Sequence, residues 1–327
     1  MQKSFVSFMR HLIDYAGLFP PAKLSMEEAV KNYCRYMKGA DSWMLGRFIC
    51  PLARLAEFCS VAERCWKGDS PIKLSVLPRY VQNPTDLLKM LQSDLKNASS
   101  IMEQYPGLFV VEFLEMRLPG TIPDKSLPDF LANFYNMLIQ FVRDHSLPAI
   151  RPFFEWDALP ENRPDYGRLA EIIAAQNREL ASPALFPAGL KLRCGGETPT
   201  AIPDVPIVAQ AIQEVYRHRL PFKATAGLHH AVSHFNDSLP KKMLGFLNLF
   251  GALLLFWADR IAPDKLALLL EDENPQNFQF NDEFFIWRNF QINREEITRL
   301  RGNYVVSFGS CDFDEPREDL REMNLLV

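Results

Sequence analysis

Two short stretches in the second half of the chain combine cationic side chains with glycines. Gly189–Gly196 reads Gly-Leu-Lys-Leu-Arg-Cys-Gly-Gly, and Pro221–His230 reads Pro-Phe-Lys-Ala-Thr-Ala-Gly-Leu-His-His. Each has the pattern of a short strand that ends at a glycine, and a helical pattern lies between them. Because the two strands are successive, their ends are expected to lie close together in one sheet.

The side chains of these two strands are predicted to point toward a common site. Side chains alternate between the faces of a strand, so Lys191 and Arg193 share one face of the first strand. By the same rule, Lys223 and Thr225 share one face of the second strand. Cationic groups at two neighbouring strand ends predict a binding site for a small anionic or carbonyl-bearing molecule.

The chemistry that these residues suggest is the attack of a lysine amine on a carbonyl group. The amine must be neutral to attack, and burial or a second cation nearby lowers the pKa of a lysine. Lys223 is the expected nucleophile, because its neighbours Phe222 and Ala224 are apolar and disfavour the ammonium form. Lys191 is the second candidate, and it shares its face with Arg193, a permanent cation suited to holding an anionic group.

Small residues and donors near the two strand ends complete the predicted substrate-binding set. Gly195, Gly196 and Gly227 would let backbone N–H groups approach a phosphate or a carboxylate. Thr225 could position a water molecule or donate to a developing alkoxide, and His229 lies just beyond the second strand. We therefore expect these residues to line the same pocket as the lysines.

Acidic residues in apolar strands supply the predicted proton carriers. Glu112 and Glu155 each lie in a strongly apolar strand, where a lone charge is costly. They are expected either to act as general acid and base or to form ion pairs with the lysines without any chemistry. Glu112 is predicted to point inward because Val110 and Leu114 share its face. Asp14 could serve the same site.

The adjacent histidines His229 and His230 allow a different chemistry. Together with Glu112, Glu155 or Cys194, one of them could bind a divalent metal such as zinc. Adjacent residues in an extended segment point apart, so at most one histidine would enter the site. The main expectation is an enzyme without a cofactor, and a metal-dependent hydrolase is the alternative.

Strand and helix patterns alternate along the chain with a period of roughly 30–40 residues, as in βα units. About seven strands are predicted between Ala16–Phe19, read as the first strand, and Thr225. Several are apolar throughout, which is typical of a parallel sheet buried on both faces. We predict an α/β fold, a (β/α)8 TIM-like barrel with its site at the C-terminal strand ends. A doubly wound open sheet is the alternative, although no Gly-x-Gly-x-x-Gly or P-loop sequence is present.

The last hundred residues depart from this repeat. The closing strand of the barrel is either Leu266–Leu270 or Tyr304–Phe308, and the second is preferred because a glycine follows it as in the two strands above. Phe278–Trp287 has the pattern of a hairpin. All 327 residues are therefore predicted to form one barrel domain with an irregular, hairpin-containing insertion around 271–293.

Three blocks of sequence resemble a family of uncharacterised bacterial proteins. They are Asp14–Pro21 (DYAGLFPP), Lys223–His230 (KATAGLHH) and Phe308–Pro316 (FGSCDFDEP). A more distant likeness is to class I aldolases of the deoxyribose-phosphate type, which carry Lys-x-Ser/Thr-x-Gly and Lys-x-Ser-Gly-Gly on successive barrel strands. Lys223–Gly227 matches the first pattern and Lys191–Gly196 approaches the second, in the opposite chain order. The resemblance to the aldolases implies a barrel with lyase activity in which lysines carry out the reaction.

Composition limits the partners that the chain is expected to have. A net charge of -4 gives no basic footprint for nucleic acid. The apolar run Met243–Ala258 is shorter than the ~20 residues of a membrane span, and the N-terminus has no signal-peptide core. The six cysteines form no CxxC pair, which favours buried thiols in the cytoplasm. The prediction is a cytoplasmic enzyme for a small anionic carbonyl compound, with a non-catalytic small-molecule-binding protein as an alternative.

Overall fold

Eight parallel strands close into a barrel at the centre of the molecule. The computed structural model describes residues 1–156, 165–179 and 182–326. The strands, in chain order, are β1 (Ile13–Tyr15), β2 (Leu45–Pro51), β3 (Ile72–Leu77), β4 (Phe109–Leu118), β5 (Arg151–Trp156), β6 (Gly189–Arg193), β7 (Phe222–Thr225), β8 (His234–Asn236), β9 (Lys241–Met243), β10 (Phe278–Phe280), β11 (Phe284–Trp287), β12 (Phe290–Asn293) and β13 (Val305–Ser310).

Helices alternate with the barrel strands. In chain order they are α1 (Lys3–Met9), α2 (Met26–Tyr36), α3 (Leu55–Cys65), α4 (Pro84–Gln104), α5 (Leu127–Asp144), α6 (Tyr166–Glu179), α7 (Val205–Arg217), α8 (Phe246–Trp257), α9 (Pro263–Leu270), α10 (Arg294–Asn303) and α11 (Asp314–Glu322). The barrel order is β1-β13-β7-β6-β5-β4-β3-β2. This closed order confirms the predicted (β/α)8 barrel and excludes the doubly wound open sheet.

The barrel closes through β13, which pairs in parallel with both β1 and β7. The preference for the segment around Tyr304–Phe308 as the closing strand is therefore confirmed, and Leu266–Leu270 forms the end of helix α9. The predicted first strand, Ala16–Phe19, is wrong. β1 lies just before it at Ile13–Tyr15, because the chain turns away from the sheet as it approaches Pro20 and Pro21.

Local sequence signals set the starts of several helices. Ser25 caps α2, and its hydroxyl accepts from the backbone N–H of Glu28 while the Glu28 carboxylate accepts from Ser25, as a capping box requires. Asn83 caps α4 by accepting from the N–H of Asp86, and a proline occupies the first position of that helix. Asn293 caps α10 in the same way. These caps fix the residues at which the three helices begin.

The apolar segment Met243–Ala258 forms the buried helix α8. Every residue from Phe246 to Trp257 is buried, and Phe246 stacks on Phe308 of the closing strand with ring centroids 5.5 Å apart. Within the described part of the chain, no helix has both the length and the apolar character needed to cross a membrane. A helix that is apolar on all sides needs cover on all sides, and the barrel strand β13, helix α9 and strand β12 contact α8.

Two small antiparallel sheets lie outside the barrel. β8 and β9 form a hairpin after β7, and β10, β11 and β12 form a three-stranded sheet in the region predicted as an insertion. Asp272 holds this region to the core, since its carboxylate accepts from the indole N–H of Trp287 at 3.0 Å and pairs with Arg288 at 2.9 Å. The added strands thus extend the segment between β7 and β13.

Candidate functional site

Lys191 lies inside the barrel between two glutamates. Its amine is 2.7 Å from an oxygen of Glu115 and 2.8 Å from an oxygen of Glu155. The lysine comes from β6 and the glutamates from β4 and β5, so three neighbouring strands contribute one charge each. All three side chains are almost completely buried. The arrangement is a desolvated cation held between two anions.

Lys223 lies beside Lys191 and belongs to the same network. The two lysines are direct partners in the parallel register of β6 and β7. The Lys223 amine donates to Asp14 and to the hydroxyl of Ser307, the latter at 3.1 Å, and it lies 3.4 Å from Glu115. Glu115 therefore stands within ion-pair distance of both lysine amines.

The lysines hold the buried carboxylates in the ionised state. Burial alone would raise the pKa of Glu115, but the ammonium groups of Lys191 and Lys223 outweigh it and lower that pKa to about 2. The pKa of Glu155 is lowered to about 2 in the same way, against its burial, by Lys191 and Arg193. The pKa of Asp14 is also lowered, because Lys223 and Arg47 counteract its desolvation.

The amine of Lys191 is held as an ammonium ion in this state. Burial acts to lower its pKa, but Glu115 and Glu155 raise it, and the net pKa lies above the ordinary value for lysine.

The prediction of an apolar setting for the Lys223 amine is wrong. Its backbone neighbours are apolar, yet its amine reaches past them to Asp14 and Ser307. Side-chain length explains the difference, since the charge lies several bonds away from the strand.

Arg193 lies where the network meets the C-terminal end of the barrel. Its side chain is 44% exposed, whereas that of Glu155, to which its Nε donates at 2.8 Å, is 5% exposed. Thr225 is the register partner of Arg193 on β7, and its side chain lies against Gly309 of β13. A path of polar contacts therefore leads from the exposed Arg193 through Glu155 to the buried Lys191.

The predicted glycines bring the ends of β6 and β7 into contact. A Cβ atom on Gly195 would lie 2.5 Å from the Cα of Gly227, and one on Gly196 would lie 2.5 Å from the Cβ of Ala201. Gly227 also has a positive φ of 71°, which favours glycine. Close packing of the two strand ends thus accounts for Gly195 and Gly227, and the contact with Ala201 accounts for Gly196.

Glu112 lies in a different part of the barrel from the one predicted. It pairs with Arg47 at 2.8 Å and with Lys73 at 3.1 Å, near the N-terminal ends of β2 and β3. Among the described residues, neither Lys191 nor Lys223 forms an ion pair with it. The β4 glutamate that pairs with the lysines is therefore Glu115 and not Glu112.

The error over Glu112 has a structural cause in β4. The register between β3 and β4 shifts between Leu74 and Ser75, so the alternation of the strand does not run uninterrupted. β4 is also apolar on both faces, so alternation could not identify its inner side. Glu115 and Asp14 are the residues that sequence reasoning undervalued. The signal for Glu115 was a second charge in the same apolar strand.

The histidines are directed to helix α11 instead of the barrel interior. His229 Nδ1 is 2.9 Å from Glu315, and His230 Nδ1 is 3.2 Å from Asp319. Within residues 1–156, 165–179 and 182–326, no group of three or more His, Cys, Asp or Glu side chains is arranged to hold a metal ion. Cys194 is buried, and burial raises the pKa of its thiol to about 12. The predicted metal constellation is therefore not assembled.

Comparison with known proteins found matches among solved structures and none among protein families or curated sequences. No protein-family model matches the chain, and no curated protein matches it. A structure from Toxoplasma gondii ME49, assigned as a deoxyribose-phosphate aldolase, is 13% identical over 98% of this chain and 96% of that chain, with a TM-score of 0.43. The TatD homologue YjjV from Escherichia coli K12 is 13% identical over 80% of this chain and 95% of that chain, with a TM-score of 0.32. The assignment of the barrel therefore depends on the strand order of this chain.

Proposed function

We propose that the chain is a lyase-like enzyme that acts on a small anionic carbonyl compound at the C-terminal end of the barrel. The observation that carries this proposal is the pair Lys191 and Lys223, in register on adjacent strands, with both amines within ion-pair distance of Glu115. Perturbed groups that are coupled and buried at barrel strand ends are typical of reaction sites. The distant aldolase-like lysine patterns agree with this class of reaction.

Arg193 is the proposed binding group for the anionic part of the substrate. Its planar guanidinium is permanently charged, partly exposed and suited to a carboxylate or phosphate. A substrate anion would compete with Glu155 for this guanidinium. Since Arg193 is one of the groups that lower the pKa of Glu155, its engagement by substrate would make Glu155 more basic.

Glu155 is then the proposed acceptor for a proton from Lys191. The transfer leaves a neutral amine at Lys191 and a neutral carboxylic acid at Glu155, 2.8 Å apart before transfer. The amine nitrogen forms a bond to the substrate carbonyl carbon, and the carbonyl oxygen takes a proton from Glu155. The attacking nitrogen then gives one proton to the Glu155 carboxylate, which passes it to the hydroxyl of the adduct. Water leaves, and the lysine remains joined to the substrate as a protonated imine. Later carbon–carbon bond cleavage is favoured in this species because the cationic nitrogen accepts electrons.

Lys223 and Asp14 are proposed to hold the second side of the site. Lys223 is completely buried, and its amine forms hydrogen bonds with Asp14 and Ser307, whereas Lys191 shares the carboxylate of Glu155 with the exposed Arg193. In this position its charge keeps Glu115 ionised. This reverses the order that the sequence favoured, and Lys191 becomes the proposed nucleophile.

Borohydride trapping tests the proposal directly. The protein is incubated with a panel of small aldehydes and keto acids, reduced with sodium borohydride, digested and analysed by mass spectrometry. We expect a stable adduct on the peptide that contains Lys191, which is lost in Lys191→Met and retained at a lower rate in Lys223→Met. Far-ultraviolet circular dichroism of both variants verifies that they are folded.

The outcomes separate the alternatives. An adduct on Lys223 that survives in Lys191→Met would restore the order that the sequence favoured. Thermal stabilisation by a member of the panel without any adduct would identify a non-catalytic binding protein, because ligand binding raises apparent stability whether or not chemistry follows. Neither an adduct nor stabilisation with any member would overturn the proposal.

A further inference from the structure

A cavity lies at the N-terminal end of the barrel, at the opposite end from the exposed Arg193. It has a volume of about 960 Å3 and is lined by residues at or just before the starts of several barrel strands, together with residues of α1 and α10. His11 precedes β1, Pro148 precedes β5 and Val110 lies near the start of β4. The cavity is therefore distinct from the proposed reaction site.

Five arginines line this cavity: Arg10 and Arg294 are exposed, and Arg47, Arg151 and Arg301 are half-buried. Arg47 is paired with two carboxylates, those of Asp14 and Glu112. Arg47 therefore brings little uncompensated charge to the cavity. Arg151 and Arg301 differ from Arg47 in their partners.

Among the residues that the structure describes, Arg151 and Arg301 have only neutral hydrogen-bond partners. Arg301 donates to the carbonyl oxygens of Val305, Val306 and Arg10, and Arg151 lies 3.4 Å from the carbonyl oxygen of Pro187. In the described part of the chain, neither guanidinium forms an ion pair with a carboxylate. The Nε of Arg301 is also buried without a hydrogen-bond partner. Among the described residues, no carboxylate is therefore in direct contact with either of these two half-buried guanidinium groups.

Each of these two charges is partly desolvated and lies near the charge of Arg47, which is unfavourable in the absence of an anion. Burial and the nearby charge of Arg47 lower the pKa of Arg151 to about 10. The same two causes lower the pKa of Arg301 to about 9, although the charge of Asp14 opposes them. Desolvated charges of one sign are stable in a protein when an opposite charge neutralises them. An anion between Arg151 and Arg301 would supply that charge and engage their N–H donors.

We propose that this cavity binds a small organic phosphate, independently of the reaction at the C-terminal end of the barrel. A phosphate monoester carries a charge of about −1.5 to −2, which matches two guanidinium groups, whereas a carboxylate would neutralise one of them. The remaining wall includes the apolar side chains of Val110, Val306 and Phe186, and the ring of Phe186 lies 5.4 Å from the Arg151 guanidinium. This wall suits the organic part of the ligand.

Isothermal titration calorimetry with phenyl phosphate, inorganic phosphate and benzoate tests the site. We expect one phenyl phosphate bound at the N-terminal cavity, more tightly than inorganic phosphate, which lacks the apolar part, and than benzoate, which carries one charge. Arg151→Gln is expected to weaken phenyl phosphate binding at least about tenfold, as loss of a charged hydrogen-bond donor predicts. Arg217→Gln, which changes an exposed arginine on α7 outside the cavity, is the matched control and should bind like the wild type.

A crystal soaked in phenyl phosphate locates the ligand independently of the variants. Density between Arg151 and Arg301 supports the proposal, and density only beside Arg193 at the other end of the barrel overturns it. Equal affinities of the wild type and Arg151→Gln would overturn it as well, as would binding weaker than about 1 mM for all three probes. Because the borohydride experiment reports on Lys191, the two proposals can fail separately.

Discussion

Within the described part of the chain, Glu115 is the single carboxylate that both buried lysines share. It lies 2.7 Å from the amine of Lys191 and 3.4 Å from that of Lys223, and it accepts a hydrogen bond from the hydroxyl of Ser75. Removing one partner of a buried ion pair leaves a charge that no solvent can stabilise. The energetic role of Glu115 is therefore expected to exceed that of a glutamate on the barrel rim.

Replacing Glu115 by glutamine tests this role. We expect Glu115→Gln to lower the free energy of unfolding by about 3–5 kcal/mol, because both lysine amines lose a shared anion while the side-chain volume is kept. Urea unfolding followed by circular dichroism measures the change. The matched control is Glu112→Gln, whose side chain is 26% exposed in its pairs with Arg47 and Lys73, and whose expected effect is about 1 kcal/mol or less. Equal losses in the two variants would contradict a special role for Glu115.

At the scale of the elements, the site depends on how closely β6 and β7 approach each other at their ends. Gly195 packs directly against the backbone of Gly227, and the Cys194 N–H donates to the Thr225 carbonyl oxygen at 2.8 Å. This contact lies immediately beyond Arg193. Separation of the two strand ends would therefore shift Arg193 away from Glu155.

A pair of glycine-to-alanine substitutions tests the strand contact. A Cβ at Gly195 would meet backbone atoms of Gly227, so Gly195→Ala is expected to lower the free energy of unfolding by about 1–3 kcal/mol. Gly302 lies near the end of helix α10 with no atom within 4 Å of an added Cβ, so Gly302→Ala is expected to stabilise the protein by up to about 1 kcal/mol. Thermal unfolding of both variants provides the comparison. A Gly195→Ala protein as stable as the wild type would show that the strand ends can separate freely.

At the scale of the whole molecule, buried charges of both signs make the barrel interior sensitive to pH. Asp14, Glu115 and Glu155 all have a pKa below the ordinary range of their side chains. A carboxylate with a lowered pKa in the folded state stabilises the fold above its unfolded pKa, and that stability is lost as the pH falls through the folded value. For Glu115 and Glu155 this window runs from 4.5 down to about 2.

Acid unfolding provides the measurement. We expect the free energy of unfolding, from urea titrations at several pH values, to decrease as the pH falls from about 4.5 towards 2, because the unfolded chain then binds protons that the native carboxylates do not. The Glu115→Gln variant should show a shallower decrease, since one of the carboxylates is absent. A wild-type free energy that stays constant across this window would contradict the network of buried ion pairs.

The sequence alone determined the fold and the positions of its main elements. Alternating strand and helix patterns, apolar strands and glycine-bearing strand ends predicted the barrel, because such local features depend on propensities and on burial of whole segments. Alternation of side chains on β6 and β7 likewise paired Lys191 with Arg193 and Lys223 with Thr225, and the strand register sets these residues side by side. These inferences needed no knowledge of distant contacts.

Only the tertiary structure decided which charges meet inside the barrel. The sequence pointed to Glu112 instead of Glu115 because a register shift and apolar residues on both faces conceal the inner side of β4. Asp14 contacts Lys223 although the two residues are 209 positions apart in sequence. His229 contacts Glu315 of helix α11, which follows the closing strand β13. Partners of long side chains depend on barrel closure and on the register between strands. The local sequence pattern of a single strand encodes neither barrel closure nor register, because both arise only when all eight strands have paired.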